Sequence, residues 1–306
     1  MLTQDYYNNI SVVLVTYNPN KDALQVVIQA VSDQVSNVFI VDNGSSNFSP
    51  DWFDKFEGCQ ISEKLHVLPQ EKNLGIAAAQ NIGIKHAMKL EADFVLLLDQ
   101  DSVPDSNMVE ELISVMHQKS SEGYKIAAVG AHYVDERNTD RSSFSRLSGI
   151  LLIKETCTFN GIVPTDFVIS SGSLISLKTF HSVGYMNEAL FIDQVDIEWG
   201  LRAKSLGYRS FGACNAVMAH SLGEDPLVFL GRKFLNHNPL RHYYIFRNAV
   251  WLISKKYVSI GWKLRFTMVI LIRYLLYPLW VTPRFTYLKM MTLGIWHGLI
   301  GRMGKL

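Results

Sequence analysis

The 306-residue chain is 48% apolar and carries 29 basic against 28 acidic side chains, a balance that permits a full hydrophobic core and excludes an intrinsically disordered chain. The near-neutral total conceals a split: the stretch from Pro226 to Leu306 holds thirteen Lys and Arg and no Asp or Glu, which leaves −12 on the first 225 residues. Cys59, Cys157 and Cys214 are odd in number and scattered, with no CxxC pair. Neither a disulfide framework nor a thiolate zinc site is therefore expected, and a reducing cytosol suits them. The start, MLTQDYYNN, lacks the basic and apolar blocks of a secretory signal, so the sequons at Asn43 and Asn47 are expected to stay unmodified.

Short β-rich runs follow in order: ISVVLVTY, NVFIVDN, KLHVLPQ, DFVLLLDQD and IAAVGAHY. They alternate with helix-like segments around 22–35, 75–90 and 105–118. This rhythm predicts an α/β fold whose largely parallel sheet is covered by helices on both faces. Ligands bind such sheets beyond the carboxyl ends of the strands, so the residues that end each run matter. They are Thr16, Tyr17 and Asn18, then Asp42, Asn43, Gly44 and Ser45, then Asp99, Gln100 and Asp101. Asp-Asn-Gly is also a strong turn former in its own right.

In FVLLLDQDS, strand alternation puts Asp99 and Asp101 on one face and Gln100 on the other. Two hard oxygen donors at a strand end suit Mg²⁺ or Mn²⁺ bridging a diphosphate. They also suit plain capping of a helix that begins after Pro104. Further on, FIDQVDIEWGLRAKSLGYR predicts a helix that opens at Asp193, buries Val195 and Trp199 on one face and closes at Gly207. Asp196 would sit in its first turn, where the helix dipole lowers a carboxyl pKa, either as a reactive group or as part of a cap. The glycine of ISSGSL reads as a bulge within a strand, and His220 ends the β-like run ACNAVMAH.

The character changes near Asp225, which divides the chain into a domain of residues 1–225 and a helical region of residues 226–306. In the second region basic residues interleave with FTMVILIRYLLYPLW and MMTLGIWHGLI, a texture that suits an anionic membrane surface better than a nucleic-acid groove. Arg273 and Pro278 interrupt the best apolar stretch, so no uninterrupted span of about 20 residues is long enough to cross a bilayer. The alternative is a core helical hairpin with snorkelling Lys and Arg.

As a set, VTYN, VDNGSS, NLGIAAAQNIGI, LLLDQDS, ISSGSLIS and FIDQVDIEWGLRAKSLGYR resemble, in order and spacing, the inverting family 2 glycosyltransferases, whose fold is called GT-A. The resemblance spans roughly residues 10–222. Within that family, RHYYIFRN (Arg241 to Asn248) is similar to a segment that bacterial rhamnosyltransferases using dTDP-L-rhamnose carry after the catalytic domain. The resemblance implies that Thr16, Tyr17 and Asn18 hold the base and that Asp42 reads it, with Asn43 alongside. It implies that Asn73, Gly75 and Asn81 of NLGIAAAQNIGI approach the nucleotide, although close packing alone would explain the small residues of that helix. Asp99 and Gln100 would lie near the ribose, with Asp101 on the metal and His220 completing the metal site.

Asp196 matches the general base that takes the acceptor's proton opposite the departing diphosphate. Where the family shows a paired acid just before the base, this chain has Val195. Ser171, Gly172 and Ser173 match a turn on the acceptor side, and Asp193, Glu198 and Trp199 are assigned there with them. Arg241, Tyr244 and Arg247 are candidates for cationic clamps on the diphosphate or for membrane-facing groups. The implied activity is transfer of L-rhamnose from dTDP-L-rhamnose, with inversion, to a lipid-linked bacterial polysaccharide such as O-antigen or cell-wall glycan. The enzyme would be cytoplasmic and peripheral on the inner face of the membrane, and would depend on Mg²⁺ or Mn²⁺. A different nucleotide sugar, or a catalytically idle nucleotide-sugar-binding partner of a membrane assembly complex, are the alternatives. A sugar-1-phosphate nucleotidyltransferase would want a Gly-rich phosphate loop after the first strand, which TYNPNKDAL lacks.

Overall fold

The run ISVVLVT forms strand β1 (Ile10–Thr16), and all seven residues are buried, as a strand covered on both faces requires. The computed structural model describes residues 9–56, 60–134, 143–157, 161–220, 227–229, 232–234 and 237–306. After β1 come α1 (Lys21–Ser32), β2 (Asn37–Asp42), α2 (Gln60–Lys64), β3 (Leu65–Pro69), α3 (Ile76–Lys89), β4 (Phe94–Asp99), β5 (Ser102–Pro104) and α4 (Met108–Ser121). The middle of the chain forms β6 (Ile126–Val134), the hairpin β7 (Ser143–Ser148) and β8 (Leu151–Thr156), β9 (Ile162–Thr165), β10 (Ser173–Ser176) and α5 (Leu177–Val183). Then follow α6 (Val195–Ser205), β11 (Arg209–His220), the short pair β12 (Leu227–Phe229) and β13 (Arg232–Phe234), and three helices, α7 (Pro239–Ile253), α8 (Ile260–Leu276) and α9 (Arg284–Ile300).

The central sheet runs β3-β2-β1-β4-β10-β6-β11-β5, with β9 paired to β11. Its first four strands are parallel, as the alternation of runs and helices requires. β10 reverses direction between β4 and β6, so the sheet is mixed and not uniformly parallel. The reversal starts at Gly172, at φ +78°, whose amide donates to Leu97 and whose carbonyl accepts from Ala131. A side chain there would meet Ala131 and Met218 at 2.9 Å, so the glycine fits a turn wedged between two strands.

Two apolar layers follow from the period of two along β1. Val12 and Leu14 share a core with Leu24 and Ile28 of α1 and with Met108 and Leu112 of α4. Val13 and Val15 share the other with Ala77, Ala79 and Ile84 of α3. For these alanines the observed role is close packing. Gly83 marks a close approach of α3 to β1, since a Cβ there would lie 2.4 Å from Val13 Cγ1.

The C-terminal helices are not a detached appendage. α7 buries eight residues, among them Tyr243, Phe246, Arg247 and Asn248. α9 approaches α7 through Gly294 and Gly298, where a Cβ would come within 2.5 Å of the Tyr243 carbonyl and 2.7 Å of the Arg247 carbonyl. At the start of α8, Trp262 donates its indole N–H to buried Asp166 at 2.8 Å. The compositional boundary near Asp225 lies outside the described residues. No described helix is long and apolar enough to cross a membrane.

One expectation is overturned. Cys157 and Cys214 form a disulfide, with Cα atoms 5.3 Å apart and a sequence separation of 57. Antiparallel pairing of β9 with β11 brings the chain before Ile162 alongside Cys214, whose amide donates to Gly161. Strand pairing across that distance leaves no trace in local cysteine spacing, and Cys59 lies outside the described residues.

The contact between α3 and β1 yields a quantitative test. Gly83→Ala should lower stability by about 1–3 kcal/mol in urea denaturation, as overpacking typically does. Adding Val13→Ala should recover part of that loss, because it removes the methyl groups the new Cβ strikes. Additive losses in the double variant would show that the approach of helix to strand is looser than described.

Candidate active site

The ends of β1 and β2 lock together. Thr16 Oγ1 and Ser45 Oγ both donate to Asp42 Oδ1, at 2.9 and 2.5 Å, and the Ser45 amide donates to Oδ2 at 3.0 Å. Asp42 is buried, and these donors fix the plane of its carboxylate. Asn18, at φ +45°, donates its amide to Ser45 Oγ and accepts from the Ser46 amide at 2.9 Å. Tyr17 is 48% exposed, and its amide donates to Gln100 Oε1 at 2.8 Å, which ties the β1 end to the turn after β4.

Asn43 and Asn73 shape the entry to α3. Asn43 Oδ1 accepts from the Leu74 amide at 2.8 Å, and Asn73 Oδ1 accepts from Asn43 Nδ2 and from the Gly75 amide. Gly75, at φ +90°, precedes α3, and a Cβ there would lie 2.5 Å from the Phe191 carbonyl. The same carbonyl accepts from the Ile76 amide at 2.7 Å. Asn81 does not join them: it is buried and bonds with Met186 O, Glu188 Oε1 and the Met186 amide. Its assignment to the nucleotide is corrected, because its polar atoms hold the loop before α6.

The acidic triplet is not a continuous strand. β4 ends at Asp99, and Gln100 and Asp101 form a turn before β5, so the assumed alternation of side chains does not extend across them. β5 pairs antiparallel with β11, and the register sets the His220 backbone opposite Ser102, the residue after Asp101. The His220 side chain lies outside the described residues. Ser171 Oγ accepts from the Asp99 amide at 3.0 Å and donates to Ser102 Oγ at 2.7 Å, which joins the turn before β10 to the acidic loop.

A cavity of about 400 Å³ opens beyond these strand ends, lined by Asp99, Ser171, Asp193, Asp196 and Arg241, with Tyr133 among its walls. Asp193 was expected to cap α6. Instead the helix starts at Val195 after Gln194, and Phe191, Asp193 and Gln194 all have positive φ, at 65°, 64° and 61°. The Asp193 carboxylate pairs with Arg241, Oδ1 to Nη2 at 2.8 Å and Oδ2 to Nε at 3.3 Å. Asp196 Oδ1 accepts from the Ile197 amide at 2.8 Å. Desolvation pushes the Asp196 carboxyl up to about 6, against the pull of the Ile197, Asp196 and Ser170 amides and with the negative charge of Asp193 adding to the rise. The expected lowering by the helix N-terminus is therefore reversed, because loss of water outweighs the nearby N–H groups.

Five more expectations are corrected by burial. Glu198 is 1% exposed and accepts from Arg202 and, at 2.7 Å, from Tyr257, so both its oxygens are committed inside the protein. Trp199 is buried against Phe180 and donates to Gly184 O. Gly172 lies in the turn behind the cavity, not on its wall. Arg247 has no exposed surface and donates to Gly304 O, Leu190 O, Ala189 O and Asn248 Oδ1, which leaves it no reach toward a diphosphate. Tyr244 is likewise buried, its ring 5.1 Å from that of Phe191. Residues to which sequence reasoning gave no role include Tyr133 and Asn248. Asn in the interior of a helix is a poor helix former, and that is the one sign that could have drawn attention to Asn248.

With carboxylates, an anchored guanidinium and interlocked loops at the carboxyl edge of a mixed α/β sheet, the molecule has the layout of a nucleotide-sugar transferase. Residues 11–181 match the profile of glycosyl transferase family 2, and the chain belongs to that family. Over 302 residues it is 32% identical to the dTDP-rhamnosyl transferase RfbF of Shigella flexneri, covering 97% of each chain. Among solved structures it resembles S. aureus TarS residues 1–349 in complex with UDP-GlcNAc, with a TM-score of 0.60, 14% identity and coverage of 96% of this chain and 82% of that one. It also resembles the mannosyltransferase PcManGT from Pyrobaculum calidifontis in complex with GDP-Man and Mn²⁺, with a TM-score of 0.58, 13% identity and coverage of 98% and 77%. The fold is thus that of the GT-A glycosyltransferases, and the chain is a glycosyltransferase.

The raised proton affinity of Asp196 gives a signed prediction. Between its ordinary carboxyl pKa and about 6, the folded state holds a proton that the unfolded state releases, so stability falls as pH rises through that window. Asp196→Asn removes the desolvated charge and should be more stable than the parent at pH 7, on the order of 1 kcal/mol, with the difference vanishing near pH 4. Melting curves of both proteins across that range check it. A variant less stable at neutral pH would make Asp196 a stabilising cap.

Proposed function

We propose that the enzyme transfers L-rhamnose from dTDP-L-rhamnose to a hydroxyl of a lipid-linked polysaccharide acceptor, with inversion and at a membrane surface. The observation that carries this reading is the meeting of Asp99 and Asp196 in one cavity at the carboxyl edge of the sheet. The donor is argued from likeness over nearly the whole length to a dTDP-rhamnosyl transferase.

On this reading Asp42, held by Thr16 and Ser45, receives the base beside Tyr17 and Asn18, while Asn43, Asn73 and Gly75 form the wall behind the nucleotide. Asp99 lies toward the sugar and ribose. Asp196 takes the proton of the acceptor hydroxyl as its oxygen attacks the anomeric carbon and the bond from that carbon to the diphosphate breaks on the opposite side. A carboxyl with a pKa of about 6 is ionised at neutral pH and more basic than an ordinary aspartate, which suits general base catalysis.

The donor set favours a hard divalent ion. Asp101 follows the β4 end, and the register brings the His220 backbone alongside. No three acidic, His or Cys groups cluster among the described residues, and a site of this kind would rely on the diphosphate for further ligands. Asp101, with His220, would hold Mg²⁺ or Mn²⁺, and the bound ion would supply charge neutralisation on the leaving diphosphate.

Membrane contact is argued from α8. Ile260, Leu264, Met268, Leu271 and Leu275 recur at helical spacing and are all exposed, Ile260 at 72% and Leu275 at 67%. Phe285, Trp296 and Leu299 of α9 extend the apolar exposure, within a region whose charged side chains are all basic. Such a surface fits the headgroup boundary of an anionic bilayer.

The donor reading is tested by thermal shift with Mg²⁺ or Mn²⁺ present. dTDP should stabilise the enzyme more than UDP or GDP, and chelator should abolish the shift. Asp196→Asn should keep that shift while turnover falls by about 10² to 10⁴-fold. A preference for UDP would sink the rhamnose assignment, and a fully active Asp196→Asn would sink the mechanism.

The membrane reading is tested by flotation with vesicles containing anionic lipid. Binding should be strong and salt-sensitive, and Leu264→Gln with Leu271→Gln and Leu275→Gln should reduce it severely without altering dTDP affinity. Equal flotation of parent and triple variant would remove α8 from the interface.

A further inference from the structure

Arg247 and Asn248 are consecutive residues in the interior of α7, and neither has any exposed surface. Burying a guanidinium and an amide is costly unless their N–H groups find acceptors. Most of the acceptors they find are carbonyls of one short segment, with Gly304 O a further acceptor of Arg247. Arg247 Nη2 donates to Leu190 O at 2.8 Å and to Ala189 O at 3.3 Å. Asn248 Nδ2 fans across three carbonyls, Leu190 at 3.1 Å, Ile192 at 2.8 Å and Asp193 at 2.9 Å, while its Oδ1 accepts from Arg247 Nε at 3.0 Å. That last bond fixes which end of the amide faces the segment.

The segment so held is the one with left-handed backbone at Phe191, Asp193 and Gln194. Residues with a side chain resist that conformation at roughly 1 kcal/mol or more each, and it persists where the surroundings impose it. α7 imposes it from one face: Arg241 pairs with the Asp193 carboxylate, Ile245 O accepts from Gln194 Nε2 at 3.2 Å, and Asn248 holds the carbonyls. Positions 241, 245 and 248 follow the helical repeat. Two residues beyond Gln194 the chain reaches Asp196 in the first turn of α6.

We infer that Asn248, oriented by Arg247, is a positioning residue for Asp196: it holds the left-handed turn before α6 in the shape that sets the Asp196 carboxylate on the cavity wall. The inference deepens the proposed mechanism and rests on Asp196 being the base. Asn248→Asp keeps the shape and the acceptor for Arg247 but replaces the donating amide with oxygen that repels the three carbonyls. The turn should then relax, and the Asp196 carboxylate should gain water.

A double-variant cycle reads this without an acceptor substrate. Melting temperatures at pH 7 and pH 4 are compared for the parent, Asp196→Asn, Asn248→Asp and the double variant. The stabilisation by Asp196→Asn at pH 7 should shrink to near zero in the Asn248→Asp background, because the carboxylate is no longer desolvated there. An undiminished increment in both backgrounds would overturn the inference and leave Asn248 with a purely structural role. The groups facing Asp196 in the cavity, Asp99 of β4, Tyr133 of β6, Asp193 of the loop and Arg241 of α7, are unchanged throughout. Should Asn248→Asp not fold, Asn248→Ser is used in the same cycle with the same criteria.

Turnover of dTDP-L-rhamnose, with water as acceptor, supplies the second readout. Asn248→Asp should lower turnover by about 10²-fold, as a displaced catalytic group typically does, with dTDP affinity unchanged. Adding Gln194→Gly should restore part of it, since glycine adopts the left-handed conformation without a clamp. An active Asp196→Asn would refute the base and leave the cycle to decide the positioning. A dead Asp196→Asn with a fully active, folded Asn248→Asp would refute the positioning alone.

Discussion

A guanidinium shut away from water needs an acceptor for its N–H groups, and much of this structure follows from how Arg247 meets that need. It draws the carbonyls of Ala189 and Leu190 to one side of α7 and that of Gly304, near the chain end, to another. Its plane also lies 4.9 Å over Tyr244, whose ring is stacked on Phe191. One side chain thus joins the loop before α6, the interior of α7 and the C-terminal residues. Replacing it with an apolar group would strand several carbonyls in a dry interior, which is why a basic residue persists where none could face solvent.

Charge is arranged around the cavity with the same economy. Asp193 and Asp196 are close enough for one to raise the proton affinity of the other, and Arg241 takes up the first of them. The paired acid expected just before the proposed base is absent from its usual place, since Val195 is buried there. Asp193 lies in the same cavity, but an ion pair occupies it. Asp193, three positions before Asp196, shares its pocket across the left-handed turn.

The parallel half of the sheet was legible in the sequence because β-branched runs and turn residues are local properties. Strands β1 to β4 and helices α1, α3 and α4 fall where periodicity sets them. The reversal at β10, the disulfide and the α7 clamp depend on partners far along the chain. Asp42, Asp99 and Asp196 were legible as candidates because carboxylates at strand and helix ends are chemically conspicuous, and Asp99 and Asp196 line one cavity. Arg247, Glu198, Trp199 and Asn81 were misassigned for a common reason. Each is polar or aromatic in a motif, and sequence alone does not reveal that its hydrogen-bonding groups turn inward.

The Phe191 carbonyl, which accepts from the Ile76 amide across a gap that admits only glycine at position 75, joins the wall behind the proposed nucleotide site to the loop that leads to Asp196. If the proposed roles hold, donor recognition and acceptor activation are consequently not interchangeable modules in this enzyme. A donor pocket transplanted from another family member would arrive with a loop before α3 cut for a different partner, and the acceptor half would have to be refitted with it. Diversification of this scaffold is therefore constrained to proceed in matched pairs of loops, and chimaeras joined between α3 and α6 inherit a mismatch at a single hydrogen bond.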